Sequence, residues 1–120
     1  MKDKPLALKV DAALRPELPT VVDGRTVVID AVRFWQCGTW VGDLTVRLED
    51  APLDASFVPL EPIDGVPVFA ERGLPRLLDK AGAVLERGSW PLRRGLRIRL
   101  ERPEHWIDYL DRPARFESPE

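Results

Sequence analysis

Apolar positions in this chain alternate with polar ones over short runs, and the period changes to a helical one in only a few places. The longest run, Thr26-Val-Val-Ile-Asp-Ala-Val-Arg-Phe-Trp35, is rich in β-branched and aromatic residues and reads as a strand. Val28, Asp30, Val32 and Phe34 share one face; Val27, Ile29, Ala31, Arg33 and Trp35 share the other. Apolar residues on both faces predict a central strand covered on both sides. Leu44-Thr-Val-Arg-Leu-Glu49 alternates cleanly, with Leu44, Val46 and Leu48 inward. Between these runs Gly38 and Gly42 bracket a loop, so the pair reads as a hairpin with Cys37 near its tip.

Shorter segments follow the same logic. Leu6–Val10, Ala83–Glu86 and Leu96–Glu101 are expected as strands. Ser56–Leu60 and Val66–Ala70 carry Pro59 and Pro67, which biases both to sheet edges. Asp23-Gly24 and Asp64-Gly65 mark turns. Leu74–Ala81 is the clearest helix, with Pro75 in its first turn, Gly82 as its stop, and Leu74, Leu77, Leu78 and Ala81 along one stripe. Pro103–Leu110 reads as a second short helix, and Asp11–Arg15 as at most one helical turn before Pro16 and Pro19. Residues 111–120 lack an apolar period and are expected to form a flexible tail behind a single globular domain at 1–110. The expected architecture is a compact, β-rich α+β domain of six or seven short strands with two short helices.

Composition narrows the function classes. At 120 residues the chain fits one domain and needs neither disulfide nor metal to build a core. Its net charge of -2 leaves no global basic field, so nucleic acid is not an expected partner. No apolar run has the length to span a bilayer and no signal peptide is legible, which places the chain in the cytoplasm as an expectation. The single cysteine excludes an internal disulfide and fits a reducing compartment.

The residues that stand out chemically gather in Phe34–Gly42, which holds Cys37, Trp35, Trp40, Gly38 and Gly42. Cys37 is the candidate reactive thiol; a working thiol needs nearby positive charge or a helix N-terminus, and the neighbouring sequence offers only Arg33. Trp35, Gly38, Trp40 and Trp90 are the candidate binding residues, since tryptophan is a frequent interface anchor. Asp30 among apolar neighbours needs a partner or a raised pKa if buried, and otherwise lies beside a sheet edge bonded to a turn or an arginine. His105 is the only histidine, and with Glu104 and Asp108 it makes too poor a ligand set to predict a metal. Arg93, Arg94, Arg97, Arg99 and Arg102 form a basic stretch of a kind that can bind phosphates, but Glu101, Glu104 and the acidic total favour a solvated face paired with neighbouring carboxylates. Glycine-rich nucleotide loops, a nucleophile elbow and a Cys-x-x-Cys pair are all absent from the sequence. No catalytic residue, metal or cofactor is assigned.

The order of a strand ending at Cys37-Gly38, a segment Asp64-Gly-Val-Pro-Val-Phe69 and a closing Leu96-Arg-Ile-Arg-Leu100 resembles the small HesB-like proteins of the CC/Se motif group, distant relatives of the A-type iron-sulfur carriers. That group carries two adjacent thiols, or a thiol and a selenol, before its glycine; here Gln36 stands beside Cys37. The carriers' Cys-Gly-Cys near the C-terminus has no counterpart. The resemblance implies a β-rich fold with Cys37 at a functional corner. Protein-held clusters usually take several thiolates, so the single cysteine argues against a cluster within one chain and leaves one shared by two chains through Cys37. Two functions follow as expectations. One is a noncatalytic domain that binds a protein partner, or a second copy of itself, at the Trp/Cys corner. The other is a single-thiol protein of sulfur, redox or iron-sulfur metabolism.

Overall fold

In the computed structural model, which describes residues 5–50, 53–88 and 95–117, seven strands form two mixed sheets with four short helices. The first sheet has the order β1 (Lys9–Val10), β6 (Ala83–Arg87), β7 (Leu96–Leu100). β1 runs parallel to β6, and β6 antiparallel to β7. The second has the order β3 (Thr39–Glu49), β2 (Thr26–Gln36), β5 (Val68–Glu71), β4 (Phe57–Pro59). The helices are α1 (Leu18–Val22), α2 (Leu74–Ala81), α3 (Glu104–Asp111) and α4 (Ala114–Glu117).

The core lies between the sheets and α2. Leu74, Leu77, Leu78 and Ala81 of α2 are all buried, which is the apolar stripe set by their spacing. They meet Val27 and Ile29 of β2, Val68 and Ala70 of β5, and Ala83 and Leu85 of β6 in one cluster. Gly82 ends α2 in the left-handed conformation (φ 66°), and Arg102 donates to the carbonyl of Lys80 at 2.7 Å, satisfying a helix-end acceptor. Leu44, Val46 and Leu48 point inward from β3 as their alternation requires, packing against the cluster with Leu96, Ile98 and Leu100 of β7.

Several elements differ from expectation. Leu18–Val22 forms α1 despite Pro19, because proline at the start of a helix loses no hydrogen bond; Asp23, in the left-handed region (φ 54°), closes it. β5 is internal, flanked by β2 and β4: Pro67 lies just outside the strand, and its carbonyl accepts from Val27 at 3.0 Å. The expected tail folds as far as Glu117, with Phe116 4% exposed in the core beside Tyr109. One buried aromatic at the end of a polar stretch gives no period to read. Trp90, Arg93 and Arg94 lie outside the described residues.

On the outer face of the first sheet Glu86 accepts from Arg97 Nε at 2.5 Å and from Arg99 Nε at 2.9 Å. Arg97 and Arg99 are thus paired with a carboxylate, but with Glu86 of the adjacent strand and not with Glu101 or Glu104. Burial pushes the Glu86 carboxyl up, but the bonds from Arg99 and Arg97 outweigh it and hold the pKa below its ordinary 4.5. A carboxylate depressed in the fold stabilises above its unfolded pKa, and that contribution fades as pH falls through the lower folded value. Glu86→Gln is therefore expected to lose on the order of 1 kcal/mol at pH 7, a figure discounted because both arginines are about half exposed. Urea unfolding across pH should show the gap from wild type closing as pH falls below the ordinary carboxylate range of about 4.5.

Candidate functional site

The Trp/Cys corner is the end of a two-stranded arm. β2 and β3 are each 11 residues long and pair along their whole length, from Thr26↔Glu49 to Gln36↔Thr39. β5 pairs with β2 only at Val27, Val28 and Ile29. Beyond that point β2 has β3 on one side and, among the described residues, no strand on the other. The Glu71 side chain extends the ladder by one step, accepting from the Ala31 N–H at 3.0 Å.

The coverage expected of β2 therefore holds for its first half alone. Val27, Val28 and Ile29 are fully buried, while Val32, Phe34 and Trp35 are 50%, 49% and 61% exposed. Val32 and Phe34 lie on the outer face with Val41 and Asp43 of β3; Trp35 lies on the inner face, beyond the reach of the core. The composition of β2 carries no sign of this change. The signal lies in length, because a strand as short as the Val66–Ala70 segment cannot flank 11 residues.

The tip is tighter than the sequence suggested. The loop is two residues, Cys37 and Gly38, with φ of 51° and 82°. Two successive positive φ values are the mark of a type I′ hairpin turn, whose twist matches the strands it joins. Gly42 is not in the loop but inside β3, opposite Arg33. Cys37 and Gly38 are both exposed. Asparagine is the residue that suits the first turn position, so Cys37 holds a left-handed conformation that is mildly unfavourable to it.

Behind the tip the arm is braced. Trp35 and Trp40 are directly opposite and meet edge to face, ring centroids 5.4 Å apart. The Arg33 guanidinium lies 3.9 Å from the Trp40 ring centroid, and its Nη2 donates to the Leu110 carbonyl of α3 at 2.8 Å. One arginine so ties the hairpin to the end of a helix, a contact 77 residues apart in sequence that no local pattern announces. Trp40 is half-buried in this stack, and Trp35 is the exposed member of the pair. Farther along, Asp30 accepts from Arg47 and Thr45 on the neighbouring strand, so of the expected alternatives it takes the arginine.

Elsewhere the polar residues are dispersed. His105 is half-buried on α3, and among the described residues no three His, Cys, Asp or Glu side chains gather as a metal-ligand set. Among the same residues no helix is long and apolar enough to cross a membrane. A recess of about 540 Å³ lined by Asp54, Ala55, Ser56, Glu71 and Arg72 is wide open to solvent. No protein-family model matches this chain, and no curated protein matches it in sequence.

Proposed function

We propose that this chain is a small, noncatalytic cytoplasmic domain that docks a protein partner on the projecting end of the β2–β3 arm. The observation that carries this reading is the coincidence of half-exposed Val32, Phe34 and Trp35 with an unpaired stretch of sheet edge. Exposed apolar residues scattered singly need no explanation, but three within four positions on an open strand supply both side-chain anchors and main-chain hydrogen bonds. The brace of Arg33, Trp40 and the Leu110 carbonyl holds the arm in place before binding, which lowers the entropy cost of docking.

Cys37 favours a second reading, a single-thiol protein of sulfur, redox or iron-sulfur metabolism of the HesB-like kind. Its exposure, at a turn position that asparagine would fill with less strain, supports that reading. One experiment separates the two. The wild type, Phe34→Lys and Cys37→Ser are each used to capture binding proteins from an extract of the cells that make the chain. On the docking reading, Phe34→Lys cuts capture at least about tenfold, while Cys37→Ser leaves it unchanged. Capture that survives Phe34→Lys but is lost with Cys37→Ser moves the function to the thiol.

A further inference from the structure

We infer that the open edge of β2 pairs with the same edge of a second copy of this chain, in a two-fold antiparallel register that sets Phe34 opposite Phe34 and Arg33 opposite Trp35. This rests on the docking reading above and names its occupant.

The hydrogen-bonding phase of β2 comes first. The Val27 N–H donates to the Pro67 carbonyl, and the Ala31 N–H to Glu71 Oε1, so odd-numbered residues of β2 turn their backbone groups away from β3. Along an antiparallel pair this alternation continues unchanged. The N–H and C=O groups of Arg33 and Trp35 therefore point outward, where no described strand lies against them. Natural sheets protect such an edge with proline, lysine, a bulge or an inward-pointing charge. Val32–Gln36 has no proline or lysine and pairs without a bulge. Its one charge, Arg33, is drawn to its own Leu110 carbonyl.

Three two-fold registers are in phase with outward groups at Arg33 and Trp35. Centring on Arg33 sets two arginines directly opposite, which is repulsive, and calls on the Ala31 N–H already given to Glu71. Centring on Trp35 places Arg33 opposite Cys37, whose φ of 51° turns the chain out of the strand. Centring on Phe34 pairs Arg33 with Trp35 of the second copy, and Trp35 with its Arg33, each pair exchanging both main-chain bonds. The outward N–H and C=O groups of Arg33 and Trp35 are then all used. On the inner face each guanidinium, already on Trp40 of its own chain, gains an indole from the other copy. On the outer face the two Phe34 rings sit at the closer, non-hydrogen-bonded spacing, with Val32 diagonal to them. Hydrogen bonding, charge and aromatic pairing thus select one register, and a strand is complementary to itself in it. Only Val32–Gln36 of each copy takes part, which places the contact among small interfaces, and the dimer is expected to be weak and reversible.

Sedimentation velocity from about 5 to 500 μM, the range a weak interface calls for, tests this. The wild type should move from monomer to dimer across the series. Phe34→Lys and Phe34→Glu should each raise the dissociation constant at least about tenfold, because like charges then meet at the two-fold. An equimolar mixture of the two variants should recover the dimer, since lysine then faces glutamate. Residue 34 is half exposed, so both variants are expected to fold, and circular dichroism checks that they do. A wild type that stays monomeric at the top of the range overturns the inference. A wild-type dimer that the mixed variants do not recover overturns the register. If the wild type is monomeric while Phe34→Lys still cuts capture from the extract, the second copy is the wrong occupant and the docking reading stands. If capture is also unchanged, both fall.

Discussion

Leu77→Ala is expected to destabilise the protein by about 3 kcal/mol, within the roughly 2–5 kcal/mol range of buried leucine truncations. Leu77 is 0% exposed and sits in the middle of the α2 stripe, between the two sheets. The loss has two parts: the transfer energy of the removed methyls, and the cavity left because neighbours relax only partly. Collapse into that cavity is restricted here. α2 is fixed by Pro75 at its start, by Gly82 at its end and by Arg102 on its last carbonyls, so it cannot move toward the gap without breaking a cap. A fall in melting temperature of roughly 12 °C follows for a chain of this size. Urea unfolding should show a lower midpoint at an unchanged slope, since the surface exposed on unfolding is nearly the same. A loss below about 1 kcal/mol would show that α2 is not the central element of the core.

α2 is also where the sequence was most legible. Its boundaries, proline start, glycine stop and buried stripe all follow from a period of 3.6 residues and two special residues. β3 was legible for the same reason at a period of two, with Leu44, Val46 and Leu48 turned inward. β2 shows where this reasoning ends. Alternation tells which residues share a face, and Val32 and Phe34 do share one with buried Val28. It does not tell whether anything covers that face, which depends on how far β5 and β4 extend alongside. The same limit hid the role of Arg33, whose partners are a ring on the next strand and a carbonyl on α3. Cys37 and its tryptophans were legible as a corner, but the two-residue turn and the open edge beside it were not. A glycine in sequence does not say whether it supplies a positive φ, as Gly38 does, or space, as Gly42 does. What sets the candidate site apart is a mismatch of strand lengths, which is a tertiary property.

That second kind of glycine gives the other large expected effect. Gly42→Ala is expected to destabilise the protein by about 3 kcal/mol, the upper end of the cost of inserting a methyl where there is no room. A Cβ at Gly42 falls 1.9 Å from the Val32 carbonyl oxygen and 2.9 Å from the Arg33 Cα. Both are backbone atoms of the adjacent strand, so no side-chain rotation relieves the contact, and β2 must part from β3 at the root of the exposed segment. Gly38→Ala is the control. Its φ is 82°, but an added Cβ meets nothing within 4 Å, so the cost is conformational only, about 1 kcal/mol. Thermal unfolding of the two variants should therefore rank Gly42→Ala well below Gly38→Ala. Displacement at Arg33 also moves its guanidinium off Trp40 and off the Leu110 carbonyl, and the edge-to-face Trp35–Trp40 pair with it. The near-ultraviolet circular dichroism of the tryptophans should weaken in Gly42→Ala and persist in Gly38→Ala. Concentration-dependent dimerisation should follow the same order, because the paired edge needs Arg33 and Trp35 at strand spacing. Equal stability of the two variants would mean that β3 can shift at Gly42 without cost. The arm would then be a pliable ribbon, unsuited to hold one register against a second copy.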